Sequence, residues 1–165
     1  MLYTCTLTTP LGEMTAAANG EALVGLWFVG QKYYPPHTET WIERPDLEVF
    51  EDLRAWLAEY FAGRDPAMEL PLAPQGTPFQ TAVWKALLAI PTGQVTTYSA
   101  IARELARGRG ASMSSQAVGG AVGRNPISII VPCHRVVGVN GSLTGYAGGL
   151  DRKKALLDLE KADIH

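Results

Sequence analysis

The chain has 165 residues, of which 47% are hydrophobic and 18% are charged, and its formal net charge is −2 at pH 7. This composition is ordinary for a soluble globular protein, and two cysteines do not make a disulfide framework. No apolar run approaches the length of a membrane span and no signal-peptide pattern is present, so we expect a cytoplasmic protein with no membrane partner.

Residues 1–76 predict a small α/β domain built from an antiparallel sheet and one helix. Three segments rich in β-formers are separated by turn sequences and predict a meander: 3–8, 13–18 and 23–29. Asp46 is a candidate cap for a helix that ends at Gly63. The buried face of that helix is predicted from apolar residues at helical spacing: Phe50, Leu53, Leu57 and Tyr60. Two prolines in residues 70–76 then predict a linker.

Residues 77–165 predict a mostly helical domain. Thr77 and Gln80 form a capping box for its first helix, in which Trp84 is predicted to be a core residue. A second helix starts at 97–98 and is followed by a flexible basic loop at 106–111. A third helix is predicted from about Ser114 to Val122, so the pair suggests a helix-turn-helix. A hairpin turn at 139–142 suggests a wing, and a last helix is predicted over 150–161.

The two halves differ in charge. Residues 1–76 hold 4 Lys/Arg and 11 Asp/Glu, whereas residues 77–165 hold 10 Lys/Arg and 5 Asp/Glu. A polyanionic partner would therefore be met by the second half only. The alternative is that the asymmetry is accidental. Similarly, the small residues 116–121 would let their helix approach DNA closely, or would simply allow tight helix packing inside the domain.

One segment carries residue types suited to nucleophilic chemistry. Residues 129–131 are apolar and predict a short buried strand that stops at Pro132. Cys133, His134 and Arg135 follow directly, and an imidazole or a cation can lower the pKa of a thiol enough to make it a nucleophile. Neighbours in sequence rarely point at each other, so Cys133 and His134 are expected to couple through water. The alternative is that Cys133 is a small buried hydrophobe.

This segment resembles the active-site signature of the O6-alkylguanine-DNA alkyltransferases. The residues that carry the resemblance are Pro132-Cys133-His134-Arg135-Val136, Asn125-Pro126 before them and Gly145-Tyr146-Ala147-Gly148-Gly149 after them. The resemblance covers about residues 77–160. It implies an α/β (α+β) fold with a ribonuclease H-like domain at 1–76 and a winged helix-turn-helix-like domain at 77–165. It also implies DNA repair by direct reversal, in which one alkyl group passes from O6-alkylguanine to Cys133 after base flipping.

The resemblance implies roles for individual residues. Cys133 would be the nucleophile, His134 would take its proton through water, and Glu160 would orient the imidazole. Three further residues would assist: Tyr98 as proton donor to the guanine, Lys153 as a supporting cation and Asn125 as a hinge. The base pocket would be formed by Val136, Tyr146, Ala147 and Gly148. The predicted DNA-binding residues are Gln116, Ala117, Gly119, Arg107, Arg109, Arg124 and Arg135.

Two departures from the family pattern concern DNA binding. Gln116 stands where the family usually has an arginine that enters the duplex, and the stretch between Tyr98 and Gln116 is longer than usual. Arg107 and Arg109 are expected to supply the missing charge. The expected partner is double-stranded DNA containing O6-alkylguanine, bound by a monomer. No Cys/His spacing suggests a zinc site, and we expect neither a metal nor a cofactor.

Three other functions are compatible with parts of the sequence. The first is a non-catalytic alkylated-DNA-binding protein that recruits other repair factors, but such relatives replace the cysteine, typically with tryptophan. The second is an unrelated Cys-His hydrolase, which would need an oxyanion hole and would turn over repeatedly. The third is a DNA-binding regulator whose cysteine senses redox state. DNA binding without a preference for damage would favour this last function.

Overall fold

The computed structural model describes residues 1–109 and 113–162, and for Gly108 and Arg109 it describes the backbone alone. The chain divides into two compact units, Met1–Gln75 and Gly76–His165. No helix within the described residues has the length and hydropathy needed to cross a membrane.

The first unit contains a four-stranded sheet. Its strands are β1 (Tyr3–Thr9), β2 (Gly12–Ala18), β3 (Leu23–Phe28) and β4 (Ile42–Glu43), in the order β3-β2-β1-β4. The predicted antiparallel meander of β1 to β3 is confirmed. β4 pairs in parallel with β1, and its two residues are too short for a sequence pattern. The segment predicted as a linker adds to the other edge, where Leu23 exchanges hydrogen bonds with Pro71 and Ala73.

Helix α1 (Glu48–Phe61) buries the apolar face that the sequence predicts. Its N-cap is Leu47, whose side chain makes no capping bond, so the prediction that Asp46 caps this helix is wrong. The carboxylate of Asp46 instead accepts a hydrogen bond from Nε of Arg44 at 3.1 Å. Gly63 has a φ of +88°, a conformation in which glycine carries no Cβ penalty, and it stops the helix as predicted.

The second unit is mostly helical. Its elements are α2 (Pro78–Leu88), β5 (Thr96–Thr97), α3 (Tyr98–Arg109), α4 (Ser115–Gly123), β6 (Val136–Val137) and α5 (Leu150–Leu159). The predicted capping box is present, since Thr77 Oγ1 accepts from Gln80 N at 3.1 Å and Gln80 Oε1 accepts from Thr77 N at 3.0 Å. Trp84 is buried as predicted, and its Nε1 donates to Ala121 O at 2.8 Å, which ties α2 to α4.

The prediction of a basic loop at 106–111 is wrong for residues 106–109, the part of it that the structure describes. Residues 106–109 continue α3, because alanine, leucine, glutamate and arginine are strong helix formers and precede the loop without a break. Residues 110 and 111 lie outside the described residues. Ser114 then caps α4, its Oγ accepting from Gln116 N and Ala117 N at 3.1 and 3.2 Å.

Residues 129–131 are buried as predicted, but the prediction that they form a strand is wrong. These residues form a turn in which Ile130 N donates to Ser128 O at 2.8 Å and Val131 N to Ile127 O at 3.0 Å. Ile129 has a φ of +70°, an uncommon conformation for a β-branched residue. The predicted hairpin at 139–142 is a 3-10 turn rather than a strand pair, because β6 pairs in parallel with β5.

Candidate active site

Cys133, His134 and Arg135 form one turn of 3-10 helix immediately after Pro132. The turn is closed by a hydrogen bond from Arg135 N to Pro132 O at 3.0 Å, and Cys133 N donates to Val131 O at 2.8 Å. All three side chains are buried: Cys133 is 6% exposed and His134 is 0% exposed. The motif therefore places its thiol, imidazole and guanidinium inside the domain.

His134 and Glu160 form a buried pair. Glu160 is the first residue after α5, and its Oε2 lies 2.7 Å from Nε2 of His134. Because a carboxylate accepts hydrogen bonds, we assign a proton to Nε2 of the imidazole. Nδ1, the other ring nitrogen, is buried and has no hydrogen-bond partner among the described residues. In the neutral ring this Nδ1 carries the lone pair, so it is the atom that can accept a proton.

Arg135 contacts both oxygens of the same carboxylate. Its Nε donates to Glu160 Oε1 at 2.8 Å and its Nη2 to Glu160 Oε2 at 3.0 Å. Nη1 donates to Ile90 O at 2.6 Å, and Nη2 also reaches Thr92 Oγ1 at 3.0 Å. The guanidinium is therefore buried and held by internal acceptors. The prediction that Arg135 contacts DNA stays a prediction.

Burial holds the thiol and the imidazole in their neutral forms. Desolvation raises the pKa of Cys133 above its ordinary 9.0, although a hydrogen bond with Asn125 and the charge of Lys153 oppose the rise. Desolvation also lowers the pKa of His134 below 6.5, against the pull of Glu160. The resting site therefore holds a thiol and a neutral imidazole, rather than a preformed thiolate and imidazolium pair.

Asn125 connects the end of α4 to the segment before Cys133. Its Nδ2 donates to Val131 O at 2.8 Å and to Ile127 O at 3.3 Å, while its Oδ1 accepts from Ile127 N at 3.0 Å. The amide therefore bridges residues 127 and 131. Its role as a hinge stays a prediction.

Lys153 is a fully buried cation on α5. Its Nζ donates to three carbonyl oxygens, those of Val136 at 2.6 Å, Thr144 at 2.9 Å and Gly145 at 3.4 Å. None of the carboxylates in the described part of the chain forms an ion pair with it. Burial consequently lowers the pKa of Lys153 to about 8, and the nearby Cys133 opposes this effect. The Val136 carbonyl, predicted to face the base, already accepts one hydrogen bond from Lys153.

The lowered pKa of Lys153 predicts a specific dependence of stability on pH. The folded pKa of about 8 lies below the ordinary 10.5, so between these values the unfolded chain binds more protons than the folded chain. The free energy of unfolding should therefore gain up to about 1.4 kcal/mol per pH unit in this window from Lys153. Lys153→Met removes this contribution. Urea unfolding of both proteins from about pH 7.5 to about pH 10, roughly the window between the two pKa values, should show a stability difference that grows with pH.

The control for this measurement is Lys154→Met, which removes the exposed neighbouring lysine on α5. Cys5 also has a raised pKa, but it does not interact with Lys153, so its contribution is the same in both proteins and cancels in the difference. Cys133 interacts electrostatically with Lys153, so its contribution is part of the measured difference. A difference between the wild type and Lys153→Met that is constant with pH would contradict the assignment.

Three of the four predicted base-pocket residues lie on one loop beside Lys153, and the fourth, Val136, lies in β6. Tyr146 and Ala147 are half-buried and Gly148 is buried, and the Gly148 carbonyl accepts from Nη1 of Arg152 at 3.1 Å. Tyr98 reaches this loop from the start of α3, its hydroxyl lying 3.0 Å from Thr144 Oγ1. The structure thus links Tyr98, Lys153 and the loop through Thr144.

The predicted DNA-binding residues other than Arg135 lie on α3 and α4 or just after them. Gln116 and Ala117 are exposed in the first turn of α4, and Gly119 is half-buried against the ring of Tyr98. Val118, Ala121 and Val122 form the buried face of α4. Arg107 and Arg124 are exposed, whereas the side chain of Arg109 lies outside the described residues.

Several residues of this region were missed by reasoning from the sequence. Arg103, also exposed, lies one turn before Arg107 on α3 and adds a second basic side chain to that face. Thr92 and Thr144 contact Arg135, Lys153 and Tyr98, but they belong to no motif. The spacing between exposed arginines on a helix could have indicated Arg103, whereas nothing in the sequence signals the two threonines.

The described residues contain no group of three or more His, Cys, Asp or Glu side chains that could hold a metal ion. The chain is thus a two-unit α/β protein with a buried cysteine and a buried His–Glu pair. One of its helices, α4, consists mostly of small residues and is exposed in its first turn. Two family models then match the chain, the ribonuclease-like domain of 6-O-methylguanine DNA methyltransferase over residues 1–74 and its DNA-binding domain over residues 78–162. The chain belongs to the 6-O-methylguanine DNA methyltransferase family, as its sequence motif predicted.

Relatives in other organisms are similar over nearly the whole chain. A methylated-DNA–protein-cysteine methyltransferase of Mycobacterium tuberculosis is 45% identical over 162 residues, which are 98% of this chain and 94% of the relative. One of Methanosarcina acetivorans is 43% identical over 159 residues, 96% of this chain and 98% of the relative. These relatives span both halves of the chain, so the similarity is not restricted to the cysteine motif.

Solved structures are similar in fold as well. The Mycobacterium tuberculosis O6-methylguanine methyltransferase has a TM-score of 0.85 and 44% identity, covering 98% of this chain and 93% of its own. The OGT of the same organism in complex with DNA has a TM-score of 0.84 and 43% identity, and the match covers 96% of this chain and 92% of that chain. The predicted mixed α/β fold is confirmed.

Proposed function

We propose that this protein repairs DNA by direct reversal, taking an alkyl group from O6-alkylguanine onto Cys133 in a single turnover. The observation that carries the proposal is the unpartnered Nδ1 of His134, a buried proton acceptor in the residue next to a buried thiol. Full-length relatives named methylated-DNA–protein-cysteine methyltransferase support the same reaction. We assign the reaction to the domain at 77–165, separate from the domain at 1–76.

The proposed step moves one proton and one methyl group. Nδ1 of His134 takes the Cys133 proton through a water molecule, and Glu160 stabilises the resulting imidazolium through its hydrogen bond with the protonated Nε2. The sulfur electron pair forms a bond to the methyl carbon as the bond from that carbon to O6 breaks. The released electron pair stays on the guanine, which then needs a proton. The products are a thioether and an unmodified guanine.

Tyr98 and Lys153 are proposed to serve the leaving guanine. The Tyr98 hydroxyl lies against Thr144, on the loop that carries the proposed base pocket, and we assign it as the proton donor. Lys153 adds a buried positive charge close to Cys133, which favours the thiolate. Because this cation is fully buried, its effect on nearby charge is larger than that of a surface lysine.

The buried thiol requires that the target base leave the duplex. A base stacked in DNA cannot reach a cysteine that is 6% exposed, so the nucleotide would be flipped into a pocket formed by Val136, Tyr146, Ala147 and Gly148. We propose that α3 and α4 act as a helix-turn-helix, with α4 in the groove. The exposed small residues of α4 suit such a close approach. Asn125 would then relay movement between α4 and the segment of Cys133.

The product explains why each molecule would act once. A thioether is not cleaved by thiol exchange, so Cys133 would not be regenerated by another cysteine. The expected substrate is double-stranded DNA with O6-alkylguanine, bound by a monomer. A cytoplasmic location and the monomeric state stay predictions.

The alternative functions are less well supported. A non-catalytic alkylated-DNA-binding protein would not need Cys133, and the full-length relatives carry the name of the methyltransferase. A redox sensor needs an accessible thiol of low pKa, whereas Cys133 is buried and its pKa is raised. Repeated turnover of an ester or amide would favour the hydrolase.

The proposed function is tested on the DNA side by digesting a reacted duplex to nucleosides. A duplex with one O6-methylguanine should lose O6-methyldeoxyguanosine and gain deoxyguanosine, each in an amount equal to the protein added when the duplex is in excess. Release of free O6-methylguanine base, or repair of many duplexes per protein molecule, would contradict the proposal.

The basic residues of α3 predict how DNA affinity depends on salt. We expect removal of Arg107 and Arg109 to weaken duplex binding about 10-fold and to reduce the slope of log affinity against log salt by about 2, close to one counterion per arginine. Gln116→Arg should strengthen binding about 3-fold, because it adds one phosphate attraction. Fluorescence anisotropy at several salt concentrations measures both effects.

Lys32→Ala is the control for loss of a cation in these titrations, since Lys32 lies in the acidic first unit. If the double arginine variant binds with unchanged affinity and salt slope, these arginines do not compensate for Gln116. The longer segment before Gln116 would then have no electrostatic role.

A further inference from the structure

Arg135 has no role in the proposed reaction step, yet its guanidinium makes four hydrogen bonds inside the domain. Its guanidinium donates two hydrogen bonds to the carboxylate of Glu160, at 2.8 and 3.0 Å. It donates two more, to Ile90 O and to Thr92 Oγ1. Ile90 and Thr92 belong to the segment that follows α2, while Glu160 follows α5. One buried side chain therefore joins three separate parts of the second unit at the carboxylate that faces His134.

We propose that Arg135 is a positioning residue for alkyl transfer, holding Glu160 in place and offsetting its charge so that His134 stays a neutral proton acceptor. This inference rests on the proposed function, because it concerns the same relay. It assigns to Arg135 an internal role that differs from the DNA contact implied by the resemblance.

The position of Glu160 explains why the carboxylate needs to be held. Glu160 is the residue after the last turn of α5, where a helix begins to fray and a long side chain has several rotamers. A planar guanidinium that bonds both carboxylate oxygens fixes the orientation of the carboxylate as well as its position. Oε2 is thereby kept 2.7 Å from Nε2 of His134.

The charge of Arg135 has a second effect, on the imidazole itself. The charged groups that act on His134 are Glu160 after α5, Arg135 on its own turn and Lys153 on α5. Glu160 favours the imidazolium, whereas burial and the two cations favour the neutral ring. Without Arg135, a buried carboxylate with no cation against it would raise the pKa of His134. The imidazole would then be protonated before it could accept the proton of Cys133.

The test is the pH dependence of the single-turnover rate on an O6-methylguanine duplex. For Arg135→Gln we expect a rate at least about 10-fold lower at neutral pH, within the range that a positioned base contributes. The acid limb of the profile should move to higher pH by about one unit, because the pKa of His134 rises. Arg135→Lys keeps the charge but not the paired bonds, so the limb should stay near that of the wild type while the rate is still reduced.

Two further measurements separate positioning from a general loss of structure. Duplex affinity and urea unfolding should show that each variant is folded and binds DNA. If Arg135→Gln does not fold, the single-turnover rate of Arg135→Lys becomes the test. A wild-type rate in that variant overturns the proposal. In a folded Arg135→Gln, an acid limb at the wild-type pH also overturns it. An inactive wild type would instead contradict the proposed function, so the two failures are distinguishable.

Discussion

Cys133→Ala is expected to abolish alkyl transfer while leaving affinity for duplex DNA within about twofold, because the phosphate contacts that dominate such affinity lie elsewhere. The sulfur is the atom that receives the alkyl group, so no other group at this position can replace it. Transfer is measured with a duplex carrying radiolabelled O6-methylguanine, and affinity by anisotropy on the same duplex.

Cys5→Ala is the matched control for this substitution. Cys5 is also buried, but it lies on β1 of the first unit and burial raises its pKa to about 11. We expect Cys5→Ala to transfer at the wild-type rate. Residual transfer by Cys133→Ala, or its loss in Cys5→Ala, would contradict the assignment of the nucleophile.

His134→Gln is expected to slow transfer by about 100-fold or more at neutral pH, the usual contribution of a positioned base. Without this base, the reaction depends on the small fraction of Cys133 that ionises spontaneously. Burial raises the pKa of Cys133 above 9.0, so the rate of the variant should rise about tenfold per pH unit through pH 9. The wild-type rate should change little over the same range. Rapid-quench measurements of the single-turnover rate from about pH 6 to about pH 9 provide both pH profiles.

His134→Gln keeps the buried pair of Arg135 and Glu160, so it is a cleaner variant than Glu160→Gln. Glu160→Gln should also slow transfer, but it leaves the Arg135 cation without a carboxylate, which costs about 3–5 kcal/mol for a buried pair. Its rate is therefore interpreted only with urea unfolding of the same protein. A rate independent of both substitutions would mean that Cys133 is activated in another way.

The local features of the fold were predictable from the sequence because they depend on neighbouring residues. The capping box of Thr77 and Gln80 and the stop at Gly63 follow from hydrogen bonds and backbone conformation within a few positions. The buried faces of α1 and α2 follow from helical periodicity. The motif around Cys133 also predicted the family, since it keeps its residue types in a fixed order.

The errors concern residues whose conformation is set by distant contacts. Ile129 has the composition of a strand residue but lies in a turn with a positive φ, held by the bridging amide of Asn125 on either side. The hydrogen bonds of Arg135 likewise depend on a distant residue, because Glu160, which accepts from its guanidinium, lies 25 positions away. Thr92 is 43 positions from Arg135 and carries no signal of its own.

The central claim, that Cys133 receives the alkyl group, is tested most directly by mass spectrometry of the protein after reaction. The protein is mixed with an excess of duplex containing O6-methylguanine, its intact mass is measured, and its peptides are mapped. We predict the gain of a single methyl group per molecule, located on Cys133, with no further change on longer incubation. An unmodified protein beside repaired DNA, or a methyl group on Cys5, would contradict the claim.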